Sequence, residues 1–256
     1  VRQALEKKEG LLRKHMMGEN DREEARRVKR AGRRAHTQTN TPLPPTLPLS
    51  PGKRVNYAAR SVISPDPCLL PREVGLPPYF ACRLSIPERV TEVNAARLRA
   101  AVRAGARVHP GALAVADAGG RVVSLVGLAP AKRDALARSL LTEAAAGAPP
   151  GGGRVVHRHV VDGDLLLTNR QPTLHRPGLM AHAARILVGE RTIRLHYANC
   201  AAFNADFDGD EINLHAPQDA AGAAEAAGLV AAPFQYLAPT SGSPVRGLIQ
   251  DHVVAG

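Results

Sequence analysis

The chain has 256 residues, enough for one large domain or two small ones, and its 44% hydrophobic content can supply a packed core. Aromatic residues make up only 3% and Trp is absent, so that core must rest on Ala, Val and Leu. Lys and Arg number 34 against 23 acidic residues, a net charge of +11 that favours a polyanionic partner, nucleic acid or less often an anionic membrane; on charge alone a soluble basic protein with no such partner is an equal reading.

Cys68, Cys82 and Cys200 stand far apart with no C-x-x-C pair, so neither a zinc knuckle nor a disulfide framework is expected. Such usage fits a reducing compartment, cytosol or nucleus. No apolar run approaches ~18 residues, so no membrane span is predicted. Val1 opens no signal-peptide pattern, and Gly256 follows directly on an apolar stretch. Both ends read as cut from a longer chain.

Residues 1–18 form a basic segment. The block 19–52 changes character: a dense run of mixed charge from Glu19 to Arg34, then a Thr/Pro/Leu stretch from Thr37 to Pro51 with five prolines. Prolines at that density oppose helix and sheet alike, so the block reads as disordered or at best partly helical. From Lys53 the sequence becomes compact. Alternation through Val55, Tyr57 and Ala59 predicts an extended segment stopped by Pro65 and Pro67. Residues 94–104 fit a basic amphipathic helix with Asn94 as its N-cap. Residues 121–126 predict a strand, 131–146 an Ala-rich helix, and 149–153 a flexible break. Beyond the break come strand-like runs at Arg154–Val161, Leu165–Thr168, Arg185–Val188 and Thr192–Tyr197, with turn signals at Asp162-Gly163 and Gly189-Glu190. Strands at this spacing predict a small β-barrel, followed by an Ala-rich helix at 219–231. The fold class is α+β, mainly β in this last part.

The sharpest feature is the run Asn204-Ala-Asp-Phe-Asp-Gly-Asp-Glu-Ile-Asn213. Asp206, Asp208 and Asp210 alternate, and Gly209 relieves the backbone so that all three can converge. Ionised carboxylates so close repel, and a divalent cation among them is the usual remedy. Hard oxygen ligands favour magnesium or calcium over zinc. A calcium EF-hand is rejected by spacing: counted from Asp206, the sixth position is Glu211 instead of Gly and the twelfth is Pro217 instead of Glu. An acidic surface turn is the other reading, and the apolar neighbours Phe207 and Ile212 argue against it.

This run resembles the catalytic loop of the largest subunit of multisubunit DNA-directed RNA polymerases. Asn169-Arg-Gln-Pro-Thr-Leu-His175 is similar to the segment beside the incoming nucleotide in that family. Gly52 to Pro67 is similar to the switch region that touches template DNA at the base of the clamp. Within the family the details look most like nuclear RNA polymerase I, on three stretches: His15–Gly18 with Asn56-Tyr57, Arg194–Cys200, and Leu248–Val254. The alternative is another nuclear polymerase class. The resemblance covers 1–18 and 53–256, weakly over 106–153. In the family Met17-Gly18 continues directly into the Lys53-Arg54-Val55 stretch, so 19–52 is an insert or a retained intron. It holds seven basic and four acidic residues, +3 of the +11, and the remaining +8 still favours a polyanion.

The resemblance implies template-directed nucleotidyl transfer. Asp206, Asp208 and Asp210 would hold the first of two Mg²⁺ ions, the second arriving with the nucleoside triphosphate. Arg170 and Asn204 would contact the nucleotide sugar, with Gln171 and Pro172 shaping the pocket. For Arg170 the competing reading is a structural salt bridge. Arg13, Lys14, Lys53, Arg54 and Arg60 would contact template phosphates, or simply form a solvated basic face. His175 reads equally as a core histidine or a contact; His196 and His215 read as structural. The implied organisation is a clamp base and switch at 1–18 and 53–105, a connecting region at 106–153, a double-psi β-barrel at 154–232, and a pore region opening at 233–256 near Arg246, Gln250 and Asp251. Implied partners are DNA template, RNA product, the second-largest subunit and other polymerase subunits, in the nucleus and nucleolus. Two other classes compete. A stand-alone magnesium-dependent phosphatase or nuclease would need its own general base, and none is evident. A pseudogene product that only binds nucleic acid would show damage in the loop, and all three aspartates are present. Sequencing the transcript across the 19–52 junction decides the insert: reads joining Gly18 directly to Lys53 are expected if it is a retained intron.

Overall fold

The computed structural model describes residues 55–117, 119–141 and 153–247. The segment 1–18, the block 19–52, Lys53, Arg54 and Leu248–Val254 lie outside the described residues. The strands are β1 (Ala58–Pro65), β2 (Glu73–Leu76), β3 (Ser85–Arg89), β4 (Ala112–Ala116), β5 (Val122–Ser124), β6 (Val155–His159), β7 (Leu165–Asn169), β8 (Leu179–Ile186), β9 (Ile193–Leu195) and β10 (Glu211–His215). The helices are α1 (Pro78–Ala81), α2 (Ala95–Ala104), α3 (Pro130–Arg138), α4 (Cys200–Phe203) and α5 (Ala220–Gly228). The fold is mixed α+β, mainly β.

Six strands close a barrel in the order β1-β10-β7-β8-β2-β9, with β9 returning to β1. The pairs β1/β9 and β2/β8 are parallel and the other four are antiparallel. Alternation turns Ala59 and Ile63, Val74 and Leu76, Leu166, Met180, Ile193 and Leu195, Ile212 and Leu214 into one buried interior. Closure brings β2 and β9 very near: a Cβ on Gly75 would stand 2.5 Å from Arg194 Cβ and 2.6 Å from Leu187 Cδ1, so only glycine fits there.

The barrel is not confined to the 154–218 stretch whose short strands predicted it. β1 and β2 come from far upstream, while β6 leaves the barrel for a second sheet in the order β3-β6-β4-β5. The Asp162-Gly163 turn therefore passes the chain from one sheet to the other and makes no hairpin. β8 is eight residues long, where the sequence marked only its tail. Its Leu-Met-Ala-His-Ala-Ala opening lacks the β-branched residues that signal a strand. Tyr57 lies outside β1, exposed and with φ of 56°.

The second sheet buries its own core of Leu98, Val102, Val115, Leu125, Leu140 and Val156 under α2 and α3. Asn94 takes the N-cap position of α2, but its side chain makes no bond into the helix. It bonds backwards instead: Asn94 Oδ1 accepts from Thr91 N–H at 2.7 Å, and Thr91 Oγ1 accepts from Asn94 N–H at 3.4 Å. The Ala-rich helix α3 stops at Arg138 and passes into a 3-10 turn, Ser139–Leu141. α5 is capped by Asp219, whose Oδ1 accepts from the N–H groups of Ala221 and Gly222.

Arg158 joins the two sheets. It donates to both oxygens of Asp164 at 2.6 and 2.8 Å, at the entry to β7, and to Glu88 on β3. Burial alone would raise the Glu88 carboxyl, but hydrogen bonds and charge from Arg158 and Arg97 outweigh it and hold it below its ordinary value. Removing Arg158 leaves Asp164, 14% exposed, without its cationic partner, and Glu88, 21% exposed, with Arg97 as the one that remains. Arg158→Leu is expected to cost about 3 kcal/mol at neutral pH, measured by urea denaturation. Because the folded Glu88 value is depressed, this contribution is complete above the unfolded carboxylate value and fades as pH falls through the folded one. The gap between wild type and variant should therefore narrow in acid.

Candidate metal centre

The aspartate loop is held at both ends by buried apolar residues. β9 runs into a 3-10 turn, Tyr197–Asn199, which His196 caps by accepting from Ala198 N–H at 3.0 Å. α4 then buries Ala202 and Phe203. Beneath it the ring of His182 lies 5.9 Å from that of Phe203 and bonds Thr168 Oγ1 at 3.0 Å. Burial, then the charge of Arg246, pulls His182 down to about 3, so it stays a neutral packing element. Asn204 ends α4 in the left-handed region, φ 47° and ψ 47°, and turns the chain outward. After the loop, Ile212 and Leu214 are fully buried in β10, and Ile63 N–H donates to Asp210 O at 3.0 Å. Midway, Phe207 packs back against the barrel core and edge-on to Tyr197, ring centres 5.8 Å apart.

With the phenylalanine turned in, the aspartates turn out together. One carboxylate oxygen from each of Asp206, Asp208 and Asp210 lies within 4.8 Å of the others. Asp206 and Asp208 are exposed and Asp210 is half-buried. A hydrogen bond shared with Asp208, then desolvation, then the charges of Asp208 and Asp210 push the Asp206 carboxyl up. Asp210 moves the other way: Arg170 bonds it first, and Asp206 N–H donates to its Oδ2 at 3.0 Å. The loop thus gathers more negative charge than its own residues neutralise, in hard oxygen donors around one point. That donor set fits magnesium.

Arg170 reaches the loop because β7 pairs with β10 through Asn169 and Asn213, so that it follows directly on the last pair, and Asp210 immediately precedes β10. Its Nε donates to Asp210 Oδ2 at 2.8 Å and its Nη2 to Oδ1 at 3.0 Å. The salt bridge weighed for this residue is present. Gln171 and Pro172 are exposed beside it, in a turn tied by Asn169 Nδ2 to Thr173 Oγ1 at 2.6 Å and to Gly178 O at 3.1 Å. His175 is exposed, which removes the core reading. Asn204 is exposed at the loop's start. Arg60 sits on β1 opposite Asn213 and pairs with Glu211 at 2.5 Å, both side chains well exposed. Arg13, Lys14, Lys53 and Arg54 lie outside the described residues. The partners that sequence reasoning missed, Asp210 for Arg170 and Glu211 for Arg60, follow from strand register and leave no local signal.

The family model described as RNA polymerase Rpb1, domain 2, matches residues 52–232. The DNA-directed RNA polymerase I subunit RPA190 of Saccharomyces cerevisiae is 48% identical over 256 residues, covering 100% of this chain and 13% of that protein. The RNA polymerase I subunit RPA1 of Drosophila melanogaster is 46% identical over 256 residues, again 100% of this chain and 13% of the relative. The archaeal subunit Rpo1N of Thermococcus celer is 43% identical over 205 residues, 80% of this chain and 21% of its own. The chain therefore spans about an eighth of the eukaryotic relatives it matches.

Gly209 has φ of +135°, where a side chain is strained even though a Cβ would meet nothing within 4 Å. Gly209→Ala should cost about 1–3 kcal/mol of loop geometry. Manganese binding followed by electron paramagnetic resonance should weaken accordingly, while the thermal melt falls by only about 2–4 °C per kcal/mol.

Proposed function

The chain belongs to the family of RNA polymerase Rpb1 domain 2, and from that premise we propose that it is a piece of the catalytic largest subunit of a DNA-directed RNA polymerase, of the RNA polymerase I class. Its reaction is template-directed nucleotidyl transfer, in which the 3′-hydroxyl of a growing RNA displaces pyrophosphate from a nucleoside triphosphate. The observation that carries this reading is the convergence of three carboxylate oxygens within 4.8 Å, on a barrel loop. Whole-chain identity to RNA polymerase I subunits of yeast and fly supports the class.

Asp206, Asp208 and Asp210 hold magnesium. The bound ion supplies charge neutralisation for the attacking oxygen and the departing pyrophosphate. Arg170 keeps Asp210 in place and offers its remaining N–H groups to the sugar, and Asn204 offers an amide that can bond a ribose hydroxyl. Gln171 and Pro172 form the adjoining wall. Arg60, with Arg13, Lys14, Lys53 and Arg54, positions template phosphates without reading sequence. The barrel is of the double-psi class, which its two parallel pairs, β1/β9 and β2/β8, support. Activity requires the remaining polypeptide, the second-largest subunit and bound template. The site of action is the nucleus, in the nucleolus for ribosomal RNA.

In the assembled enzyme, Asp208→Ala should lower RNA extension at least ~10³-fold, the equivalent of several kcal/mol of lost charge stabilisation. Co-purification of the other subunits should be unchanged. Normal elongation by this variant would exclude the assignment.

A further inference from the structure

We propose that Arg170 is a positioning residue for the metal centre: it holds Asp210 in its ligating orientation, and so couples sugar recognition to metal retention. The inference rests on reading the aspartate loop as a magnesium site. Arg170 spends two of its three nitrogens on Asp210, Nε on Oδ2 at 2.8 Å and Nη2 on Oδ1 at 3.0 Å. A two-point contact fixes the plane of the carboxylate, where a single bond would let it rotate. Asp206 N–H adds a third donor, to Oδ2 at 3.0 Å. A carboxylate offers about four lone-pair sites, so roughly one is left for a cation. In this held orientation an Asp210 oxygen already lies within 4.8 Å of the oxygens of Asp206 and Asp208.

The backbone that carries the guanidinium is itself anchored. Thr173 Oγ1 donates to Arg170 O at 3.2 Å, and the pairing of Asn169 with Asn213 fixes the backbone one residue earlier. The side chains of Arg170 and Asp210 are 18% and 20% exposed, which shelters the pair from solvent competition. Nη1 carries no bond to Asp210 and is the nitrogen left to meet a nucleotide hydroxyl. One rigid planar group therefore touches both the metal ligand and the sugar. Hydrogen-bond partners of ligating carboxylates govern metal affinity in this way. Lysine cannot replace this fork, because a point charge makes no two-point contact. The opposite view makes Arg170 a cation that competes with magnesium for Asp210, and it predicts tighter metal binding once the arginine is gone.

The test uses the assembled polymerase as unmodified enzyme, R170K, R170Q and N204G, with no nucleotide present. Fe²⁺ is loaded in place of magnesium, hydroxyl-radical cleavage at the loop is recorded, and Mg²⁺ is titrated in as competitor. The Mg²⁺ needed to suppress cleavage should rise about 10–100-fold in R170K and R170Q. In N204G, where glycine keeps the left-handed backbone and loses only the amide, it should stay close to that of unmodified enzyme. Selectivity for ribonucleotides over deoxyribonucleotides should fall in R170K and N204G alike. Subunit composition is compared for each variant, so that an assembly defect in one is answered by the other. Unchanged or tighter Mg²⁺ binding in both Arg170 variants overturns the proposal while the metal centre stands. Absence of localised cleavage in the unmodified enzyme overturns the metal centre itself.

Discussion

Three carboxylates crowded onto five consecutive residues repel one another, and most of the local structure can be understood as containment of that repulsion. Phe203 and Ile212 bury the chain on either side of the loop, and Phe207 pins its middle. Without these anchors the aspartates would spread into solvent, where charges separate at no cost. With them, the loop must accept its charge locally. It does so by a hydrogen bond shared between Asp206 and Asp208 and by the two-point pair of Asp210 with Arg170. The charge that remains is what a divalent ion would neutralise.

The barrel contributes by fixing distances that a loop alone could not. Arg170 lies forty residues before Asp210, yet the β7/β10 ladder sets them side by side. β1 lines the other side of β10 and brings Arg60 to Glu211. Closure of six strands makes these placements mutually dependent. Gly75 shows how tight that closure is, since even a methyl group there would collide with Arg194. A metal site on such a scaffold needs little reorganisation when its ion arrives.

The loop was legible in the sequence because its chemistry is contiguous: three aspartates, a glycine and two apolar anchors lie within a few residues. The same holds for the barrel strands with β-branched runs, and for the turn at Gly189. What stayed hidden depends on register or on distant partners. Arg170 could be placed at the site but not matched to Asp210, because strand pairing decides that. The start of β8 was invisible because alanine and methionine are strand residues only by virtue of their neighbours in the barrel. The α2 cap was legible as a position, Asn94, but not its bonds back to Thr91, since either residue is a sound cap alone. β6 looked like a barrel strand because periodicity reports a buried face without saying which core buries it.

Net charge fixed the sign of the expected partner and not its location. At the aspartate loop two described basic residues already have acidic partners: Arg170 has Asp210 and Arg60 has Glu211. Those pairs differ in what they resist. Arg60 and Glu211 are 56% and 42% exposed, and a pair so wet contributes at most about 1 kcal/mol. A phosphate can displace Glu211 at little cost, because the carboxylate regains water as it leaves. Arg170 and Asp210 are sheltered, so exchange there would leave a half-buried carboxylate without its partner. On the proposed function, an anionic strand would therefore exchange more readily at Arg60 than at Arg170, and the Arg170–Asp210 pair would be left in place.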